Sequence, residues 1–146
     1  LSLLAARARP ARVKGLLLIA PAADFTSRWM GPALPAEARA SLAATGRWAM
    51  PSAYGAPTII TQALLDDGAR HTLLPGPIAF DGPVRILQGQ QDPDVPWRHA
   101  LETAEAISGG DVHVTLIKDG DHRLSRPQDI ALLERTAAQL CAALSS

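Results

Sequence analysis

The sequence is short of cysteine, of aromatic residues and of net charge, and each shortage removes a class of protein. Cys141 is the single cysteine in 146 residues, so no internal disulfide can staple the fold and no cysteine-rich zinc site can form. A lone thiol suits a reducing compartment, and the expectation drawn from it is a cytoplasmic protein. Basic and acidic side chains cancel at 14 each, which leaves no long-range field to attract nucleic acid or an anionic bilayer. No run approaches the ~18 consecutive apolar residues of a membrane span. Internal repeats and low-complexity segments are absent too. What is present is ordinary for a globular domain, with 47% hydrophobic and 19% charged residues. The length suffices for one real core but falls below the roughly 200–250 residues of many α/β folds, which argues against a complete two-domain enzyme.

The chain opens at Leu1 with LSLLAARAR, the pattern of a helix already under way, and this reads as a cut rather than a start. Arg7 and Arg9 interrupt the apolar run and oppose a signal-peptide reading. Pro10 ends the helical pattern, and residues 15–20 (GLLLIA) then form an apolar run without alternation. Such a strand is covered on both faces, as in a parallel sheet flanked by helices. Residues 84–88 (VRILQ) and 112–117 (VHVTLI) are read in the same way. Each is followed by a short loop and a helical pattern: Ala100, Leu101, Ala104 and Ile107 after Trp97, and Ile130, Leu133, Ala137, Leu140 and Leu144 after Arg126. Ser125 with Gln128 has capping-box spacing at the start of the second helix. The alternation predicts an α/β fold, with residues 1–20 and 83–146 forming the sheet and its helices.

Residues 21–82 differ. Seven prolines and the aromatics Trp29, Trp48 and Tyr54 punctuate this stretch, with short helical pieces expected at 35–44 and 61–69. The pattern suits a lid-like excursion, the alternative being an irregular connector that touches no ligand.

Two loops carry the chemistry. Gly89-Gln90-Gln91-Asp92-Pro93-Asp94-Val95-Pro96-Trp97 follows the second strand, and Lys118-Asp119-Gly120-Asp121-His122-Arg123 follows the third. Both lie at carboxyl ends, where the loops of an open parallel sheet diverge into a crevice. An aspartate on one and a histidine on the next can meet, the carboxylate fixing the imidazole tautomer and leaving the second nitrogen to take a proton. His71, His99 and His113 are read as packed or surface residues, and Asp119 and Asp121 as turn-formers, with Asp121 bonding backbone amides.

GQQDPDVPW and LIKDGDHRLS, separated by a helix and a strand, resemble the acid and histidine loops of the α/β-hydrolase superfamily. The run over 83–140 is similar to the branch containing mitochondrial-type palmitoyl-protein thioesterases and their bacterial relatives. Upstream, LLLIAPAADF resembles the strand and loop after the nucleophile helix, and ITQALLDDGARH the segment before the acid strand. The resemblance implies the C-terminal part of an α/β-hydrolase fold, with Asp92 as triad acid and His122 as general base. Asp94 lies within reach as well, but the family pattern places the acid at the first position after the turn.

The family's nucleophile sits in a G-x-S-x-G elbow, and these 146 residues contain none. Ser2, Ser27, Ser41, Ser52, Ser108 and Ser125 do not follow a strand and open a helix in the required way. The nucleophile is expected a few residues before Leu1, and the second oxyanion donor in an earlier loop. The resemblance therefore implies a serine hydrolase of carboxylic esters or thioesters, working through an acyl-enzyme on small-molecule or acyl-protein substrates. No cofactor or metal is expected, and the chain alone should be inactive. Trp29, Trp48 and Tyr54 are the candidate substrate-binding residues. Strand 15–20 is expected to present an apolar edge that lowers solubility. Two rivals stand beside this reading: a hydrolase with an aspartate nucleophile, and a catalytically silent α/β module that binds a partner.

Overall fold

A computed structural model describes residues 1–51 and 55–145. Along the chain run α1 (Ser2–Ala8), β1 (Leu16–Ile19), a π-helical turn (Thr26–Met30), α2 (Gly31–Ala33), α3 (Ala36–Thr45), β2 (Arg47–Met50), β3 (Thr58–Thr61), α4 (Gln62–Arg70), β4 (Val84–Gly89), α5 (Trp97–Ala106), β5 (Val112–Ile117) and α6 (Pro127–Leu144). They form two compact units, one of Leu1–Ala23 with Leu73–Ser146 and one of Asp24–Thr72.

In the larger unit, β1, β4 and β5 make a parallel sheet with β4 at its centre, in the register Leu18↔Ile86↔Val114. The central place explains why β4 is covered on both faces: Val84, Ile86, Leu87 and Gln88 are all buried. Leu16, Leu18, Val84 and Ile86 share a cluster with Leu3 and Ala6 of α1 and Ala100 of α5. Each fully buried aliphatic side chain of this kind contributes about 1.5–3 kcal/mol. Alternate residues point the other way, and α6 packs against β1 and β4 with Leu140 buried. The outer strands are less covered. Ile19 of β1 is 41% exposed, and β5 alternates, with His113 and Thr115 open to solvent. The expectation of a strand apolar on both faces therefore fails for β5, because an edge strand covered on one side needs only every second residue to be apolar.

The excursion is shorter than its prolines implied. Leu73, Ile78 and Phe80 belong to the core of the larger unit, and Ile78 N–H donates to the Ala106 carbonyl at 2.7 Å. Three apolar side chains at 73–80 outweigh Pro75 and Pro77, and the boundary falls at 73 rather than 83. The smaller unit packs Leu34, Ala38 and Leu42 against Trp48 and Leu65. Its helices α3 and α4 lie where the sequence places them, and Thr61 caps α4 by accepting from Leu64 N–H at 3.1 Å. The antiparallel pair β2–β3, with Trp48 opposite Ile60, was not anticipated. Two four-residue strands carry too little pattern to be read by periodicity.

The capping box at Ser125 and Gln128 does not form. Arg126 is the N-cap of α6, without a side-chain cap bond, and Pro127 takes the first helical position. No helix among the described residues is long and apolar enough to cross a membrane.

The two chemistry-bearing loops are sewn together where β4 and β5 end. Gln90 N–H donates to Ile117 O at 2.8 Å and Gln91 N–H to Gly120 O at 2.9 Å. Gly89 and Gly120 meet back to back, and a Cβ on Gly89 would collide with the carbonyl oxygens of Gly120 and Asp121. Only glycine allows the backbones to come so close. Gly89→Ala should destabilise the chain by about 1–3 kcal/mol, read from urea unfolding, and should lengthen the Asp92–His122 separation in a crystal structure. An alanine variant of wild-type stability would show that the loops do not need this contact.

Candidate active site

Asp92 enters the site through a turn that consumes one of its oxygens. Oδ1 accepts from the backbone N–H of Asp94 at 2.8 Å and of Val95 at 2.9 Å. This leaves Oδ2 directed inward, where Gln88 Nε2 donates to it at 3.0 Å and His122 Nδ1 lies 2.9 Å away. The Asp92 side chain is fully buried, whereas 41% of the His122 side chain is exposed. Burial by itself would raise the Asp92 carboxyl, but the N–H of Val95, His122, the N–H of Asp94 and Gln88 together hold it below its ordinary 3.8. An ionised carboxylate can only accept, so Nδ1 carries the proton and donates it, and Nε2 becomes the basic nitrogen.

The histidine loop has its own braces. Asp121 Oδ1 accepts from the N–H of Arg123 at 3.1 Å and of Leu124 at 2.9 Å, the turn-forming role expected of it. Leu124, buried, takes a positive φ of 46° to close the turn. Asp119 does more than form a turn. Arg126 grips both its oxygens, at 2.7 and 3.1 Å, and both oxygens of Asp129, at 2.7 and 3.0 Å. The guanidinium thus ties the start of the loop to the first turn of α6. Its hydrogen bonds lower both carboxyls and keep Arg126 protonated.

Of the residues singled out from sequence, the structure brings Asp92 and His122 together. Asp94 is exposed, and the N–H it donates to Asp92 is its contribution to the turn. Asp92, Asp94 and His122 offer ligand-type atoms within 4.8 Å of one another. Both Asp92 oxygens are already engaged by two donors each, however, which fits a hydrogen-bonded pair better than a metal site. His99 is 2% exposed on α5, with Nδ1 3.5 Å from Glu102 Oε2. His113 lies beside Asp111 on β5, and His71 bonds the Asp67 carbonyl in the smaller unit. The hydroxyls of Ser41, Ser108 and Ser145 bond Arg47 O, Asp81 and Cys141 O. Trp29 and Trp48 belong to the smaller unit: Trp29 is half-buried beside Phe25, with ring centroids 6.3 Å apart, and Trp48 serves that unit's core. Tyr54 lies outside the described residues. Gln88 and Arg126 were missed, although a glutamine ending an apolar strand was a visible signal for the first.

A parallel sheet with an aspartate loop after one strand and a histidine loop after the next is a hydrolase-type α/β arrangement, and the fold of the chain is that of the α/β-hydrolases. No family model matches it. It is 39% identical over 149 residues, all of this chain and 50% of the relative, to mouse Palmitoyl-protein thioesterase ABHD10, mitochondrial. The human protein of that name is 36% identical over 148 residues, with 48% of its length covered. Among solved structures, a protein of Agrobacterium vitis superposes with a TM-score of 0.87 at 42% identity, over 95% of this chain and 56% of that one. Mouse alpha/beta hydrolase domain-containing protein 10 gives 0.80 at 37%, over 98% and 58%. A monoacylglycerol lipase of Paleococcus ferrophilus, 14% identical with a TM-score of 0.68, shares the fold. The chain spans about half the length of the curated relatives it matches.

These relatives overturn the cytoplasmic placement, since their names assign them to the mitochondrion. The inference failed because one cysteine excludes an internal disulfide and does not choose among reducing compartments.

Two outcomes follow from the geometry. Because the Asp92 carboxyl is lowered on folding, its stabilisation is complete above 3.8 and is lost as pH falls through its folded value. The stability gap between wild type and Asp92→Asn, from urea midpoints at a series of pH values, should therefore shrink on acidification below roughly pH 4. A gap independent of pH would contradict the lowered carboxyl. Arg126→Gln should lower the melting temperature and speed amide exchange across 118–124. Arg70→Gln, which breaks a pair with both partners mostly exposed, should do far less.

Proposed function

We propose that Asp92 and His122 are the acid and the base of a hydrolase that cleaves carboxylic esters or thioesters through an acyl-enzyme. The nucleophile in this reading is a serine supplied from outside these 146 residues, which lack the elbow motif. His122 Nε2 removes the serine proton as Oγ attacks the acyl carbonyl, then delivers it to the departing thiol or alcohol. The same nitrogen next deprotonates the water that releases the acid. Asp92 holds the tautomer throughout and stabilises the imidazolium.

The observation that carries the proposal is the 2.9 Å contact between a fully buried carboxylate and a partly exposed imidazole. A pair made only for stability has no need to leave the imidazole part-exposed. Likeness to proteins named palmitoyl-protein thioesterases favours thioesters of long acyl chains over small esters.

A serine-directed fluorophosphonate should label the protein extended upstream to include its nucleophile, and should leave the 146-residue chain unlabelled. In the extended protein, His122→Gln and Asp92→Asn should each reduce kcat on a thioester by about 10³–10⁴. An unreactive extended protein, or variants that hydrolyse as fast as wild type, would refute the serine mechanism.

A further inference from the structure

We propose that Gln88 is a positioning residue for the acid and base, fixing the Asp92 carboxylate by donating to the same oxygen that faces His122. The inference rests on the reading of Asp92 and His122 given above.

Gln88 lies on the central strand β4 after Val84, Ile86 and Leu87, and none of its surface is exposed. Its Nε2 is surrounded by acceptors: Asp92 Oδ2 at 3.0 Å, Gly89 O at 3.1 Å and Val95 O at 3.3 Å. The amide orientation follows from chemistry, because a flip would turn a carbonyl oxygen toward three other oxygens. The opposite end of the amide is costly. Oε1 is buried with no hydrogen-bond partner among the described residues. An orphaned buried acceptor costs about as much as, or more than, one hydrogen bond returns, so leucine or methionine would suit the interior better if packing were the only demand. What glutamine offers here is the donor.

That donor differs in origin from the other three on Asp92. The N–H groups of Asp94 and Val95 belong to the acid loop itself, and Nδ1 belongs to the histidine loop. Gln88 alone among them reaches the carboxylate from the sheet. It also holds the Val95 carbonyl, so one side chain ties both the carboxylate and the loop that carries it to β4. Rotation of the carboxylate would break the Gln88 and His122 bonds together, and the remaining lone pair on Oδ2 is thereby kept on the line to Nδ1. The charged group beside the pair is Asp94 on the acid loop, with an oxygen within 4.8 Å of it, while Asp121, next to His122 in sequence, turns its Oδ1 to the N–H groups of Arg123 and Leu124.

The test is NMR on the full chain with ¹³C-carboxyl aspartate and ¹⁵N-histidine. Wild type should show a far-downfield Nδ1–H resonance that disappears in His122→Gln, and an Asp92 carboxyl titrating below its ordinary range. In Gln88→Met the Asp92 midpoint should rise, and Nδ1–H should exchange with solvent about tenfold faster. Gln88→Glu guards against a methionine variant that fails to fold. While the introduced carboxyl is protonated it donates as the amide does and the resonance persists; once it ionises, two carboxylates confront each other and the resonance is lost within one folded sample. Folded variants with the Asp92 midpoint and Nδ1–H exchange of wild type would overturn the role of Gln88 and leave the pair intact. A wild-type protein without the downfield resonance would overturn the pair, and the inference with it.

Discussion

The hydrogen bond between His122 and Asp92 spans two loops thirty positions apart, and the surrounding structure is arranged so that those loops can touch. Neighbouring parallel strands bring the loop bases together, but strand spacing alone does not bring backbones into contact. The last step depends on Gly89 and Gly120, which lack the Cβ atoms that would hold the loops apart. Around that contact, each loop is pinned by a carboxylate accepting its own backbone amides: Asp92 on one side and Asp121 on the other.

Burial differs across the pair in a way that suits proton transfer. Asp92 is sealed from water but surrounded by donors, which keep it ionised despite its burial. The imidazole is held at Nδ1, and its side chain stays 41% exposed. Arg126 extends the bracing outward, since its two bidentate grips join the histidine loop to a helix that itself packs on the sheet. The smaller unit has a separate logic. Its core of Leu34, Ala38 and Leu42, closed by Trp48 and Leu65, is self-sufficient in kind though small.

Much of this was legible in the chain. The runs LLLI, VRIL and VHVTLI are strands because no helix of useful length fits between their bounding turns, and the long apolar spacing after Arg126 is a helix of 18 residues. The acid and histidine loops announced themselves by their positions after strands and by their resemblance to a known pair. Other features carried no periodic signal. The β2–β3 ribbon is too short, and residues 73–80 look like loop because of Pro75 and Pro77, although three apolar side chains bind them to the core. Gln88 read as the polar end of a strand. Its amide has meaning only once the Asp92 loop folds back over it.

The sequence by itself determined the class of fold, the order of strands and helices in the larger unit, and the two residue types that could work as acid and base. These follow from local periodicity and turn chemistry, which act over a few residues. Tertiary structure alone decided that Gln88 shares the Asp92 carboxylate and that Arg126 serves two aspartates instead of leaving α6 to a capping box. Those choices depend on distances between segments far apart in the chain. Such distances exist only after the sheet has brought the loops together.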